Sequence, residues 1–344
     1  MPIVKSSNLP TYDRLLSEGR TILESDRAIT QDIRELHIGF CNLMPDAALQ
    51  ATERQWFRLI GEANRVAQIY IHPFTLPVIE RDQKTSAYIS EHYDSFETLK
   101  QDGLDALIIT GANMPVEGLM DEGNQWDDLR GLYDWANKNV CSVISSCFSS
   151  YALMAFNHGQ LPMKHSTKRH GVYPHYVLDR THPLTRGTNT KMDVCHSRWG
   201  EITRSQYETA GLIPLIESRD IGVHLSVSGD GFRHLCFQGH PEYDTASLLK
   251  EYKRELTSLT DKSQAPPLPN DYFGPKAQGL IDGYLSGKLD NFPEKEIEPL
   301  IENTWTDSAR SIISNWVGHV YQITNVDRTK QFMDGINPDN PLNI

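Results

Sequence analysis

Short apolar, β-branched runs recur along the first half of the chain, each closed by turn-forming residues. They are Leu36-His37-Ile38-Gly39-Phe40-Cys41, Ala67-Gln68-Ile69-Tyr70-Ile71, Ala106-Leu107-Ile108-Ile109-Thr110 and Val140-Cys141-Ser142-Val143-Ile144-Ser145. Their length and composition predict buried strands. Between them the apolar spacing turns helical: 48–63 places Trp56, Leu59 and Ile60 on one face, and 126–137 does the same with Leu129, Leu132 and Trp135. Strands alternating with helices predict an α/β fold, a mostly parallel sheet covered by helices on both faces. In such sheets the reactive groups collect at the carboxyl ends of the strands. Two such ends stand out, Thr110-Gly111-Ala112-Asn113 and Ser145-Ser146-Cys147-Phe148. Farther on, the runs 221–227 and 232–237 flank Ser228-Gly229-Asp230-Gly231, which predicts a hairpin. A helix is expected from 246 to about 258 and another from about 307 to 320. The Pro-rich stretch 263–271 between them cannot hold regular structure. The chain therefore divides into an N-terminal extension (1–34), a catalytic α/β domain (35–262) and a C-terminal extension (263–344) packing on that domain.

Composition narrows the class of partner. The 344 residues carry 33 Lys+Arg against 45 Asp+Glu, a net charge of −12. That balance argues against nucleic acid, whose phosphates call for clustered cations. The one local basic patch is Lys164-His165-Ser166-Thr167-Lys168-Arg169-His170. No run approaches the ~20 apolar residues of a membrane span, and Met1-Pro2-Ile3-Val4-Lys5 lacks the apolar core of a signal peptide. A cytoplasmic protein is expected, with no membrane partner. The five cysteines, Cys41, Cys141, Cys147, Cys195 and Cys236, are odd in number and contain no CxxC pair, so neither a disulfide framework nor a zinc ribbon is expected.

Cys147 differs from the other four by its position. A continuous apolar strand runs into it, and Tyr151-Ala152-Leu153-Met154-Ala155-Phe156 continues as a helix. A cysteine on such an elbow sits at the mouth of the sheet, where the helix N-terminus favours the thiolate. The N–H of Phe148 then points toward an oxyanion formed by attack of the sulfur. A buried cysteine packed under a helix fits the same pattern. The second constellation is Gly239-His240-Pro241-Glu242-Tyr243-Asp244, again after an apolar strand. A cysteine nucleophile needs a base, and the base needs an orienting group. His240 and Glu242 supply both, although a surface histidine beside a loop carboxylate would read alike.

The strand–Cys147 elbow followed much later by Gly-His-Pro-Glu resembles class I glutamine-amidotransferase-like folds. Within that superfamily the chain resembles the homoserine O-acyltransferases of the homoserine transsuccinylase family. The resemblance rests on Asn42-Leu43-Met44-Pro45, Ile109-Thr110-Gly111-Ala112, Gly171-Val172-Tyr173, His196-Ser197-Arg198, Gly239 to Asp244, Asn315-Trp316 and Val320-Tyr321-Gln322-Ile323-Thr324. These occur in family order from about residue 35 to 325. The resemblance implies a succinyl transfer from succinyl-CoA to the hydroxyl of L-homoserine, in methionine biosynthesis. Cys147 would carry the acyl group as a thioester, His240 would act as base and Glu242 would complete the triad. It places the homoserine site on Lys168, Ser197 and Arg254; the chemistry agrees, because an α-carboxylate is well held by a guanidinium. Read without the resemblance, Arg254 is an exposed helical arginine. The oxyanion hole falls on the Phe148 N–H and a backbone donor near Ala112. The only co-substrate is acyl-CoA, with no cofactor and no metal, and a homodimer is the expected assembly.

Some positions depart from the family pattern. Phe148-Ser149 stands where Trp and a small residue are common, and Asn113 where proline is common. The loop that distinguishes acyl donors then falls on Pro115, Val116 or Glu117. A glutamate facing the site would repel a succinyl carboxylate and favour acetyl-CoA. Acetyl-CoA as donor, serine as acceptor and a glutaminase on the same fold are the alternatives to succinyl transfer. Amidotransferases usually carry glycines where Ser145 and Ser149 stand. His165, His170 and His175 match neither a helix face nor a strand face, which argues against zinc. Trp305, Trp316 and Tyr321 are expected to pack in the core.

Overall fold

A computed structural model describes residues 3–63, 66–121, 123, 125–259 and 264–344. Among these residues, eleven strands form one sheet. They are β1 (Ile3–Lys5), β2 (Ile22–Glu24), β3 (Glu35–Cys41), β4 (Gln68–Phe74), β5 (Ala106–Ile109), β6 (Ser142–Ser146), β7 (Met163–Val177), β8 (Lys191–Glu201), β9 (Ile213–Ser218), β10 (Gly222–Val227) and β11 (His234–Phe237). Their spatial order is β2-β1-β4-β3-β5-β6-β11-β10-β9-β7-β8. The seven strands from β2 to β11 run parallel, and β10, β9, β7 and β8 add on antiparallel. The α/β layout with a mostly parallel sheet is the one the hydrophobic pattern predicts.

Alternation along the central strands builds a core on each face. In β5, Ala106 and Ile108 face one side, where they meet Trp56, Phe57 and Ile60 of the Asp46–Ala63 helix and Ile312, Ile313 and Trp316 of the Thr306–Ile323 helix. Leu107 and Ile109 face the other side, toward Leu129, Leu132 and Tyr133 of the Asp127–Asn139 helix and Ala152 and Leu153 of the Phe148–His158 helix. Trp316 is fully buried and its indole N–H donates to Ser142 Oγ at 2.8 Å. Trp305 is likewise buried, donating to the Tyr243 carbonyl at 2.9 Å, and Tyr321 packs at the core's edge under the Arg34 guanidinium.

Segment 1–34 supplies β1 and β2, which continue the parallel sheet beyond β4. The boundary expected at 262/263 and the first residue of the Pro-rich stretch lie outside the described residues. From 265 to 269 the chain has no regular structure, and Asn270 then returns to bridge Gly171 in β7. Gly171 has φ +141°, and a Cβ there would run into the Asn270 backbone, so this crossing requires glycine.

The long β7/β8 hairpin was not among the predicted strands. Its sequence, Met163-Lys164-His165-Ser166-Thr167-Lys168-Arg169-His170, is polar on both faces and gives no period-two signal. Pairing with β8 and packing of a third cluster, Val172 and Cys195 against Leu248, Leu249 and Tyr252, hold it in place. The strands β5, β6 and β11 end side by side, and the chain leaving β11 reaches β8 through the bond from His240 N–H to Cys195 O.

Candidate active site

Strand β6 delivers Cys147 to the elbow. Its backbone N–H donates to the Phe237 carbonyl at 2.7 Å, continuing the β6–β11 ladder by one bond. The residue then turns sharply, with φ 50° and ψ −111°, and caps the Phe148–His158 helix. A non-glycine residue at positive φ stores about 1–3 kcal/mol of strain, and such strain recurs where a side chain must be thrust out of a sheet. Two hydroxyls brace the turn: the single proton of Ser149 Oγ is shared between Ile109 O (2.8 Å) and Ser146 O (2.9 Å), and Ser150 Oγ donates to Cys147 O (2.6 Å). Ser149 thus ties the elbow to the end of β5. Gly111 follows that strand so closely that a Cβ there would sit 3.2 Å from Cys147 Cβ. The Phe148 N–H is one of the first-turn donors that have no intrahelical acceptor.

The chain leaving β11 brings up His240, the base expected from the sequence. His240 N–H donates to Cys195 O at 2.8 Å, and its ring Nδ1 donates to Glu242 Oε1 at 2.8 Å. Both side chains are almost fully buried. With Nδ1 committed to Glu242, Nε2 is left to face the Cys147 side chain for proton transfer. Burial pushes the imidazolium toward losing its proton, but the Glu242 carboxylate and nearby Cys147 outweigh that and hold the His240 pKa well above its usual value.

Tyr243 extends the site. Its ring stacks on His240 with centroids 4.2 Å apart, and its hydroxyl donates to Glu251 Oε1. Glu251, on the Ser247–Thr257 helix, also accepts from Ser197 Oγ at 2.6 Å and meets His170 Nε2 at 3.5 Å and Lys168 Nζ at 3.6 Å. Burial alone would raise its carboxyl pKa; His170, Lys168, Ser197 and Tyr243 reverse this and hold it far below the carboxylate range. Lys168 further pairs with Glu255. Two of the three expected homoserine residues, Lys168 and Ser197, therefore meet at Glu251. Arg254 lies one turn later on the same helix, exposed, and its side chain has no partner among the described residues. Sequence reasoning overlooked Glu251 and Tyr243. The signal available was spacing: Glu251 precedes Arg254 by three residues and so shares its helix face.

A cavity of about 460 Å³ opens onto Cys147. The loop Ala112-Asn113-Met114-Pro115-Val116-Glu117 borders it on one side; Ser197, Arg198, Trp199 and Lys164 of the β7/β8 hairpin border it on the other. Ala112 and all three candidate donor-selecting residues, Pro115, Val116 and Glu117, thus line the space beside Cys147. Ser197 lines this cavity and also donates to Glu251, so it links the two.

The histidines spaced by five take separate partners: His165 pairs with Glu201, His170 with Glu251, and His175 with His196. Among the described residues no group of three His, Cys, Asp or Glu side chains is placed to hold a metal ion. Likewise, no helix among them is long and apolar enough to cross a membrane.

Known proteins resemble this chain along its whole length. It is 50% identical to the homoserine O-succinyltransferase of Thiobacillus denitrificans over 349 aligned residues, covering 100% of both chains. It is 49% identical to that of Allochromatium vinosum, covering 100% of this chain and 99% of the relative. Among solved structures, a glutamine amido transferase from Methylobacillus flagellatus aligns with TM-score 0.46 at 14% identity, over 83% of this chain and 95% of that one. The homoserine O-succinyltransferase family profile matches residues 2–326. The chain belongs to the homoserine O-succinyltransferase family.

Proposed function

We propose that this protein transfers the succinyl group of succinyl-CoA to the hydroxyl of L-homoserine through a thioester on Cys147. One observation carries the reading: a strained cysteine elbow that opens onto a cavity lies beside the buried His240–Glu242 pair, and Tyr243 joins that pair to an ionised Glu251. His240 takes the Cys147 proton, and the sulfur attacks the thioester carbonyl. A carbon–sulfur bond to Cys147 forms as the bond to CoA breaks, and the departing CoA sulfur takes the proton from His240 Nε2. The Phe148 N–H and a donor near Ala112 receive the developing oxyanion. Homoserine then binds with its α-ammonium toward Glu251 and its α-carboxylate toward Lys168 and Arg254, beside Ser197. His240 removes its hydroxyl proton, the oxygen attacks the acyl carbon, and Cys147 leaves as thiolate and recovers that proton. Glu242 keeps Nδ1 protonated and stabilises the imidazolium in both halves.

No cofactor is called for, since acyl-CoA is consumed as co-substrate. Five unpaired cysteines suit a reducing compartment such as the cytoplasm. A homodimer is the assembly to look for by light scattering.

The reading is tested by mixing the enzyme with succinyl-CoA in the absence of homoserine. One equivalent of CoA should be released, and Cys147 should gain the mass of one succinyl group, which homoserine then discharges as O-succinylhomoserine. Turnover by the Cys147→Ala variant, or a wild type that releases no CoA from succinyl-CoA, would overturn it.

A further inference from the structure

A succinyl group differs from the simplest acyl group by a carboxylate, and something at the cavity must receive it. Three charged side chains line the space next to Cys147: Arg198, Glu117 and Lys164. Arg198 is fully buried and committed. Its Nε donates to His196 Nδ1 at 3.2 Å, its Nη1 to Gly200 O at 2.6 Å and its Nη2 to Ile221 O at 2.5 Å, and it pairs with Glu201 at 3.6 Å. Turning it toward a ligand would strip two buried carbonyls of their donor. Glu117 is exposed and of the wrong sign. Lys164 sits on β7 opposite Gly200 of β8, exposed, and its ammonium has no hydrogen bond or ion pair among the described residues. In particular no ion pair joins it to Glu117, so its charge is open to a ligand.

We propose that Lys164 selects the acyl donor by pairing with the distal carboxylate of the succinyl group held on Cys147. The inference rests on the succinyl-transfer reading above and adds the residue that distinguishes this donor from an uncharged one. The reacting atoms lie at the other end of the acyl chain, so Lys164 binds substrate without taking part in proton transfer. A partly exposed pair of this kind contributes modestly, and its removal is read best as a ratio between donors.

The experiment compares kcat/KM for succinyl-CoA and acetyl-CoA, with homoserine as acceptor, in the wild type and in Lys164→Arg, Lys164→Met and Lys164→Glu. The succinyl-to-acetyl ratio should fall about fivefold in Lys164→Met and about tenfold or more in Lys164→Glu, and Lys164→Arg should keep most of it. A ratio unchanged in Lys164→Glu overturns the inference. So does an equal loss with both donors, which would place Lys164 on the CoA moiety that the two share. In either case a wild type that still succinylates homoserine leaves the functional reading intact. A wild type unable to use succinyl-CoA removes that reading and the inference with it.

Discussion

Cys147 is set apart from the other cysteines by access and by backbone. Cys41, Cys141, Cys195 and Cys236 are buried, and burial pushes each of their thiols up and away from the thiolate. Iodoacetamide at neutral pH should therefore modify Cys147 ahead of the rest, with activity lost in step; peptide mapping that finds another cysteine labelled first would contradict the assignment. The strained φ makes a second, independent prediction. Cys147→Gly should be more stable than Cys147→Ala by about 1 kcal/mol, because only glycine relaxes at positive φ; matched thermal melts of the two inactive variants decide it. For His240 and Glu242, bonded at 2.8 Å, the losses should be far from additive. Glu242→Gln should cost less kcat than His240→Ala, and the double variant should be no worse than His240→Ala alone. Additive losses would mean the two side chains act separately.

At the scale of elements, the proposed acceptor site is an assembly of three: the β7 strand with Lys168 and His170, the β8 strand with Ser197, and the Ser247–Thr257 helix with Glu251 and Arg254. His170 and Ser197 are cross-strand partners in the hairpin, which puts both beside the same helix face. The basic patch seen in the sequence is thus divided, with Lys168 and His170 drawn onto acidic residues of that helix and Lys164 left at the cavity. Glu251→Gln removes the negative charge but keeps the shape. It should raise KM for homoserine at least tenfold while the succinyl-CoA half-reaction, followed as CoA release without acceptor, stays near the wild-type rate. Equal damage to both half-reactions would show that Glu251 serves the whole elbow and not the acceptor.

Across the whole molecule, a group of buried histidines couples stability to pH. His175 Nδ1 donates to Tyr173 O, His196 Nε2 donates to His175 Nε2, and Arg198 Nε donates to His196 Nδ1, an arrangement that fixes both rings as neutral. His224 packs against both rings and accepts from the Gly239 N–H. Burial lowers all three pKa values, that of His175 to about 4. Below the unfolded-state pKa of about 6.5 the unfolded chain takes up protons that the folded chain refuses, so stability falls as pH drops from about 6.5 toward 4. Each fully neutral histidine contributes a slope of up to about 1.4 kcal/mol per pH unit in that window. His240 has the opposite sign: its raised pKa adds stability that is complete below about 6.5 and is lost only as pH rises through the folded value. Carboxylates held low, such as Glu251, begin to matter only below about 4.5. Urea unfolding at pH 7, 6 and 5 should therefore show a steep loss above the carboxylate range; a flat profile to pH 5 would mean these rings take up protons in the native state.

Much of this protein is legible in its sequence because local rules dictate it. Runs such as Ala106–Ile109 can only be buried strands, and alternation within them sorts Leu107 and Ile109 from Ile108. The strand-to-helix junction at Cys147 and the short His240–Glu242 spacing are likewise local, so the elbow cysteine and the histidine–carboxylate pair proposed as nucleophile, base and orienting group stand out before any coordinates. Other features have no local signature. The β7/β8 hairpin carries polar residues on both faces and is a strand only because β9, the Ser247–Thr257 helix and the returning Asn270 hold it. Strands β1 and β2 are three residues each and gain their order from the edge of a sheet already formed. Glu251 reads as one more charged residue on an amphipathic helix until Tyr243, Ser197, His170 and Lys168 converge on it from three other segments. That convergence keeps a buried carboxylate ionised, and it depends on distances between residues up to 83 positions apart along the chain (251 − 168), which only tertiary packing sets.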